Sequence, residues 1–514
     1  MIHKEKPSEK ITLTSLALKG IFFCCLLFSS SQSNALDLQT ALQLTLQNNA
    51  ALAAERESIL ATNEQYRQAI AAVYPQLSAS LSGSASNSIN YTYNGNNWPS
   101  EFSSESWSSG SSASLNLSQA LYSGGAVSNG IRRVEANIRS AWEGLHSAQQ
   151  SQLNTTAQYY LELFAAQEQV KLSQSNQETA RQQLDAAQAR YDAGVYTKTE
   201  VSQAQAAYAR ATSNVSQAKQ QLITLQANLS AQVGQPVYEP INNADLPLDL
   251  PSSRDEALAL AQQHSPSLKA ASFNVEAAAL GVEIKKASLR PSASATASAT
   301  RNWSKTGSSS SLDPDLGATN SYNVGVSISV PLYSGGGTLA EIRAAKHQAS
   351  QARLNLEAAR QNLKSTVAQT YESFQAYSDL ITAQELEVEA ARQALEATRA
   401  QEDEGLASNY DVILQTQAWY DAQFNLLKSK TQRITAAYAL ISSIGLLSPQ
   451  RVGLVAPSSS AQDLSWVKNN VHGHIGTGAQ RFSSFLIDDL IPPAIHAKGK
   501  KIKEGLKAGQ LFSW

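Results

Sequence analysis

A mainly α-helical protomer with a small β component, built as two copies of one unit, is the fold class this sequence predicts. Three observations carry that expectation. The pentapeptide LYSGG stands at 121–125 and returns at 332–336. Each copy follows a run in which serine alternates with apolar residues, the period of a strand. Each precedes an Ala/Gln-rich stretch without proline, 125–193 and 337–404, with helical composition throughout.

The repeat organises everything else, since a missed repeat misassigns the whole fold. From LYSGG the offset is 211 residues, 121 to 332, and it holds without a gap: Ile131-Arg132 matches Ile342-Arg343, Gly194 matches Gly405, Val201 matches Val412 and Gly234 matches Gly445. Upstream, Tyr74-Pro75 matches Arg290-Pro291 and Ala41-Leu42 matches Ala257-Leu258, at an offset of 216. The length change therefore lies between the proline and LYSGG, and exposed loops tolerate insertions.

Each copy reads helix, two strands, long helix, turn, helix. The first helix covers about 37–73 and stops where Pro75 biases Tyr74 away from helical geometry. In PQLSASLSGSAS, Leu77, Ala79, Leu81 and Ala85 point one way and Ser78, Ser80, Ser82 and Ser84 the other, which is a strand. A polar loop over about 86–110, with Tyr91, Tyr93, Trp98, Phe102 and Trp107, leads to SASLNLSQALY. The second copy repeats this with PSASATASAT, a loop over about 301–318, and YNVGVSISVPLY, where Tyr322, Val324, Val326, Ile328 and Val330 share a face. At 1.5 Å per residue the proline-free runs make rods on the order of 100 Å long, more than a compact domain holds. Ile131, Val134, Ile138, Trp142 and Leu145 give one such rod an apolar stripe for a side-by-side neighbour.

The ends and the composition narrow the class. Lys4, Lys6, Lys10 and Lys19, an apolar core from Ile21 to Phe28, and Ser33-Asn34-Ala35 mark 1–35 as a secretory signal. The apolar core is shorter than the roughly 20 residues a membrane helix needs. Cys24 and Cys25 are the only cysteines and both lie in that signal, so no disulfide or cysteine metal site is expected in the processed chain. A formal charge of −2 offers no basic field for nucleic acid. No cofactor, metal site or catalytic nucleophile–base pair is expected. His472-Gly473-His474 lies in a Ser/Gly-rich tail, 449–514, read as a partly disordered extension. Between the signal and the tail stand a first repeat, 36–234, a linker, 235–252, and a second repeat, 253–448.

With no apolar helix after the signal, a membrane-crossing part has to be β-barrel, because lipid leaves no partner for an open sheet edge. Four strands cannot close alone. Two chains would give eight strands with a filled interior, whereas three give twelve and leave an aqueous lumen. The fold class becomes mainly α with transmembrane β, and the long helices of all copies leave the barrel on one side. Gly124-Gly125 and Gly335-Gly336, with Pro75 and Pro291 on the entering side, mark where sheet wall turns into helix wall.

The tandem repeat, Tyr74-Pro75 and Arg290-Pro291 before the strands, LYSGG after them, and the turns GVYTKTEV (194–201) and GLASNYDV (405–412) resemble the TolC family of outer-membrane channel-tunnels over roughly 37–448. The resemblance implies a homotrimer with a twelve-stranded barrel in the outer membrane of a Gram-negative bacterium and an α-barrel tunnel in the periplasm. It implies an exit duct for efflux pumps and type I secretion, docked on a periplasmic adaptor and served by an inner-membrane transporter of RND, ABC or MFS type. It further implies that Gly194, Val195, Gly405, Leu406, Ala407 and Ser408 form adaptor-docking tips, the two glycines also serving as left-handed helix ends. Asp411 falls where related channels place an acidic ring, with Glu200 as its repeat partner. Two readings of Asp411 stay open, the ring and a solvated aspartate favoured by the helix dipole. Leu414 stands where some relatives add a second acid, and Ala407 where some carry a latching arginine, so the sequence leaves open what holds the entrance shut. A structural or adhesive stalk with a barrel anchor is the other functional class that fits the pattern.

Overall fold

The computed structural model describes residues 36–90, 104–237, 250–308, 315–451 and 454. The signal, most of the linker, the tips of the strand pairs and nearly all of the tail, His472 and His474 included, lie outside the described residues.

The first repeat comprises α1 (Leu38–Asn48), α2 (Ala50–Ala71), β1 (Gln76–Asn90), β2 (Ser104–Tyr122), α3 (Ala126–Asp192) and α4 (Lys198–Val233). The second comprises α5 (Arg254–His264), α6 (Pro266–Ala287), β3 (Ser292–Ser308), β4 (Asp315–Ser329), α7 (Gly337–Asp403) and α8 (Asn409–Ile444). Corresponding helices have equal lengths: 11 residues for α1 and α5, 22 for α2 and α6, 67 for α3 and α7, 36 for α4 and α8. No helix among the described residues is long and apolar enough to cross a membrane.

Where the sequence predicts one opening helix over 37–73, the chain forms two. Asn49 leaves helical geometry (ψ 119°), and its Oδ1 accepts hydrogen bonds from the backbone N–H of Ala51 and Leu52 at 3.0 and 3.2 Å, capping α2. Ser265 does the same for α6, with Pro266 in the first turn, where its missing N–H costs nothing. The apolar period runs through both breaks, so periodicity alone conceals them.

These breaks have a structural use. In each repeat the last helix ends on a glycine seated against the break of its own opening pair. Gly234 (φ 77°) leaves so little room that a Cβ would lie 2.9 Å from Asn48 Cβ, and Gly445 (φ 89°) would bring one 2.7 Å from the His264 carbonyl oxygen. Around this level lies the main core. Leu42 and Leu46 of α1, Leu153, Tyr160 and Leu163 of α3, Leu229 and Val233 of α4, and Leu440 and Ile444 of α8 are buried together. Each large side chain so buried contributes about 1.5–3 kcal/mol. The polar atoms inside are paired: Tyr160 Oη donates to the Leu36 carbonyl at 2.8 Å, and the Thr45 and Thr156 hydroxyls meet at 2.9 Å. Further along α3, Ile131 and Ile138 are buried with Tyr66 of α2, and Val134 and Trp142 pack on them.

The four strands form one antiparallel sheet in the order β1-β2-β3-β4. They run further than the sequence predicts. Residues 86–90, 104–110, 301–308 and 315–318, expected as loop, are paired strand. Backbone pairing needs no apolar side chain, and serine hydroxyls add a cross-strand ladder, Ser82 to Ser112 and Ser86 to Ser108 both at 2.8 Å. One face collects Leu77, Ala79, Leu81, Leu115, Leu117, Ala295, Ala297, Val326 and Ile328, and the other the serines and threonines between them. The first and last strands, β1 and β4, each have one unpaired edge.

Candidate functional site

The far end of the long helices holds the two tips. After α3, Gly194 takes a left-handed φ of 76° and the N–H groups of Val195 and Tyr196 both turn back to the Arg190 carbonyl. After α7, Gly405 has φ 74° and the N–H groups of Leu406 and Ala407 turn back to the Gln401 carbonyl. The chain then re-enters a helix through a capping box in both cases. Thr197 caps α4 with Glu200, and Ser408 caps α8 with Asp411. The turns push Val195 and Leu406 into solvent, 71% and 81% exposed, an apolar side chain on each tip with nothing of its own chain to cover it.

Asp411 is thus a capping residue whatever else it does. Its Oδ2 accepts from Ser408 Oγ at 2.7 Å and from the Ser408 backbone N–H at 2.9 Å. The Ser408 hydroxyl, and then its N–H, hold the carboxyl below the usual range. Within one protomer this opposes the protonation that a ring of like charges would favour. Glu200 has the same geometry, its Oε2 accepting from the Thr197 N–H at 2.6 Å and Oγ1 at 3.0 Å.

One cluster joins the two tips. Arg190, in the last turn of α3, donates through Nη1 to Glu402 Oε1 at 2.5 Å and to the Tyr196 hydroxyl, which itself donates to Glu402 Oε1 at 2.6 Å. The guanidinium also stacks 5.2 Å from the Tyr196 ring centroid and stands 3.8 Å from Asp403. Glu402, on α7, is only 13% exposed. Burial, followed by the hydrogen bond to Glu402, pushes the Tyr196 hydroxyl up, so it stays a donor. Below this cluster α8 packs on α3 through Gln183 to Thr416 at 3.0 Å and Ser175 to Tyr420 at 3.1 Å.

The sequence did not reveal this cluster, and the repeat explains why. At the 211-residue offset Arg190 corresponds to Gln401, Tyr196 to Ala407 and Glu402 to Tyr191, so none of the three is duplicated. The available signal was the departure of Gly194-Val195-Tyr196-Thr197 from its copy.

The strand–helix glycines sit at the other end of α3 and α7. Pro75 and Pro291 directly precede β1 and β3. Gly124 and Gly125 have φ of 62° and 92°, and Gly335 and Gly336 of 60° and 83°. Gly124 is packed: a Cβ there would be 2.7 Å from the Ala287 carbonyl oxygen, and Arg290 Nη1 donates to the Gly124 carbonyl at 3.0 Å. Gly335 meets nothing within 4 Å. Among the described residues no group of three or more His, Cys, Asp or Glu is placed to hold a metal.

Three comparisons place this architecture. The sequence profile described as outer membrane efflux protein matches residues 41–235 and 257–446. The chain is 25% identical over 419 residues to the outer membrane efflux protein BepC of Brucella suis biovar 1 (strain 1330), covering 81% of this chain and 87% of that one. It is 27% identical over 364 residues to the alkaline protease secretion protein AprF of Pseudomonas aeruginosa, covering 67% and 71%. The fold matches the crystal structure of the outer membrane protein VceC of Vibrio cholerae with a TM-score of 0.64 at 22% identity, over 79% of this chain and 96% of that one. With both repeats matched by one profile, the chain belongs to the outer membrane efflux protein family, as its resemblance to the TolC channels implied.

Proposed function

We propose that this protein is the outer-membrane exit duct of a tripartite efflux pump or type I secretion system, a homotrimer through which substrates pass passively. The free edges of its sheet carry the argument. Inside the chain, β2 of the first repeat pairs with β3 of the second. Shifting β2 onto β4 by 211 residues and β3 onto β1 by 216 converts that junction into one between β4 and β1 of another copy. Leu117 opposite Ala297 becomes Ile328 opposite the partner's Leu81, and Gln119 opposite Ala295 becomes Val330 opposite the partner's Ala79. The repeat knows nothing of hydropathy, yet this register sets apolar residue against apolar residue along the seam, and a one-residue slip would set them against serine. The same operation gives Val330, Leu332 and Tyr333 a neighbour. Those last two are 92% and 90% exposed in the single chain.

In this reading the tips form the periplasmic entrance. Val195 and Leu406 are docking points for a periplasmic adaptor that links the duct to an inner-membrane RND, ABC or MFS transporter. Asp411 and Glu200 stand at the gate, and the Arg190–Tyr196–Glu402 cluster holds the two hairpins of one protomer together while it is shut.

Cysteine cross-linking tests the seam on a background from which Cys24 and Cys25 are removed with the signal. Ala79→Cys with Val330→Cys is expected to give a covalent ladder ending at three chains, and Ser80→Cys with Val330→Cys little or none. Equal yields from the two pairs, or a ladder ending at two, would refute the register or the trimer. Channel activity of the purified protein in planar bilayers then separates a duct from a stalk.

A further inference from the structure

The apolar face of the sheet does not end abruptly. Along β3 the residues on that face are Ala293, Ala295, Ala297 and Ala299, then Arg301, Trp303 and Lys305. On β2 the same face carries Trp107, opposite Gly307, and then Glu105. Ala293 to Arg301 is about 27 Å of strand. Tilted by about 40°, this is roughly 20 Å of height, close to the apolar band of an outer-membrane barrel, so the charged and aromatic residues begin where the hydrocarbon ends. Tyr74, Tyr122 and Tyr333, all exposed, lie at the opposite end of the strands. Tryptophan and tyrosine belong at such borders, but two cations pointing outward from the sheet do not follow from that rule.

The cations are arranged. The Arg301 guanidinium stands 5.2 Å from the Trp303 ring centroid, and Lys305 Nζ 5.5 Å from the Trp107 ring centroid. Gly307 lets the Trp107 ring lie across β3, since a Cβ there would come within 2.6 Å of the indole. Both indoles are 39% exposed, so they present a flat apolar surface beside the charges. Among the described residues neither cation forms an ion pair with a carboxylate. The acid on this face, Glu105, accepts a hydrogen bond from Asn87 Nδ2 at 2.8 Å.

We infer that Arg301 and Lys305, flanked by Trp303 and Trp107, form a binding site for the phosphate groups of an anionic lipid in the outer leaflet. The phosphates would lie against the two cations beside the indole faces, and the first acyl carbons on the membrane side of Arg301, against Ala299, Tyr322 and Val324. Nothing in the duct function requires this site. It rests on the outer-membrane reading above, which orients the apolar face toward lipid.

The test uses the full-length trimer in detergent, titrated with bisphosphorylated lipid A and followed by native mass spectrometry and tryptophan emission. The double variant Arg301→Ser with Lys305→Ser is expected to bind about thirtyfold more weakly, near the sum expected for two basic residues at an anionic surface. The pair Arg301→Lys with Lys305→Arg is expected to bind like the wild type, and dephosphorylated lipid A is expected to bind wild type and double variant equally weakly. Should the double variant fail to assemble, Lys305→Gln alone decides, with about fivefold weakening expected. Unchanged lipid A affinity in the Arg301→Ser, Lys305→Ser variant or, where that fails to assemble, in Lys305→Gln, or displacement of the lipid by millimolar inorganic phosphate alone, would overturn the inference. Membrane fractionation of the same strains separates the two levels. A wild-type chain absent from the outer membrane sinks the duct reading itself, whereas a trimer in the outer membrane whose lipid binding ignores Arg301 and Lys305 sinks only this site.

Discussion

The two repeats agree in every helix length and in strand register, yet their ends touch different things. Gly124 is wedged against Ala287 and held by Arg290, while Gly335, its copy, meets nothing. β2 is paired to Tyr122, whereas β4 stops at Ser329. The first repeat is finished by the second within one chain, and in the proposed trimer the edge left open on the second would meet the edge left open on the first of the next copy. In the proposed trimer the contact between copies is heterologous, and such a contact either closes into a ring or runs on as a filament. At the tips the difference runs the other way. There both copies are complete, and what distinguishes them is an added link, Arg190 and Tyr196 on one hairpin and Glu402 on the other.

The sharpest way to break this comparison is at the glycines. Gly124→Ala must strain a left-handed backbone and displace the Ala287 carbonyl, a combined cost of about 2–4 kcal/mol. In a single chain Gly335→Ala would carry only the backbone part, about 1–2 kcal/mol. In an assembled ring Gly335 gains the neighbour that Gly124 already has, so the two variants should lower the heat-dissociation temperature of the trimer to a similar extent. If Gly335→Ala trimers dissociate at a clearly higher temperature than Gly124→Ala trimers, the seam between copies does not repeat the seam within the chain.

The second test concerns the tips. Glu402→Gln leaves the fold of each hairpin intact but removes the charge that both Arg190 and Tyr196 address. We expect a raised resting conductance in planar bilayers and easier adaptor engagement. A double-mutant cycle of Arg190→Gln with Glu402→Gln should give a coupling of about 1 kcal/mol, modest because Arg190 is 39% exposed to screening water. Changing Gln401 and Tyr191, their counterparts at the repeat offset, should do nothing comparable. Equal effects at both sets would mean that the cluster is an ordinary surface ion pair.

The sequence made legible what periodicity and repetition encode. LYSGG located both strand–helix junctions, and the absence of proline bounded the rods within a residue or two at each end. It did not reveal the breaks at Asn49 and Ser265, because an amphipathic stripe continues across a kink and only the capping side chains register it. Nor did it reveal how far the strands extend, since polar stretches such as SESWSSG pair through their backbone as well as apolar ones. The tip cluster escaped for another reason. Its residues lie 206 and 212 positions apart in sequence, and each departs from its own copy, so only the fold brings them together.

The smallest effect, and the one that divides the two readings of Asp411, is expected at the capping boxes. A carboxyl held below its ordinary value by Ser408 stabilises the start of α8 at pH above the usual carboxylate value of about 4, and that contribution is lost as pH falls through the lowered value. Asp411→Asn keeps an oxygen that can accept from Ser408 but removes the charge. If Asp411 only caps, the variant should flatten the acid limb of the stability profile and leave ion flow unchanged. If three Asp411 carboxylates also ring the entrance, block of single-channel current by a multivalent cation added from the tip side should weaken several-fold at neutral pH, where capping is least affected. Glu200→Gln provides the comparison, because it caps in the same way on the other hairpin. Block that weakens equally in both variants places both acids at the axis, and block that weakens only with Asp411→Asn shows that the hairpins differ in their distance from it.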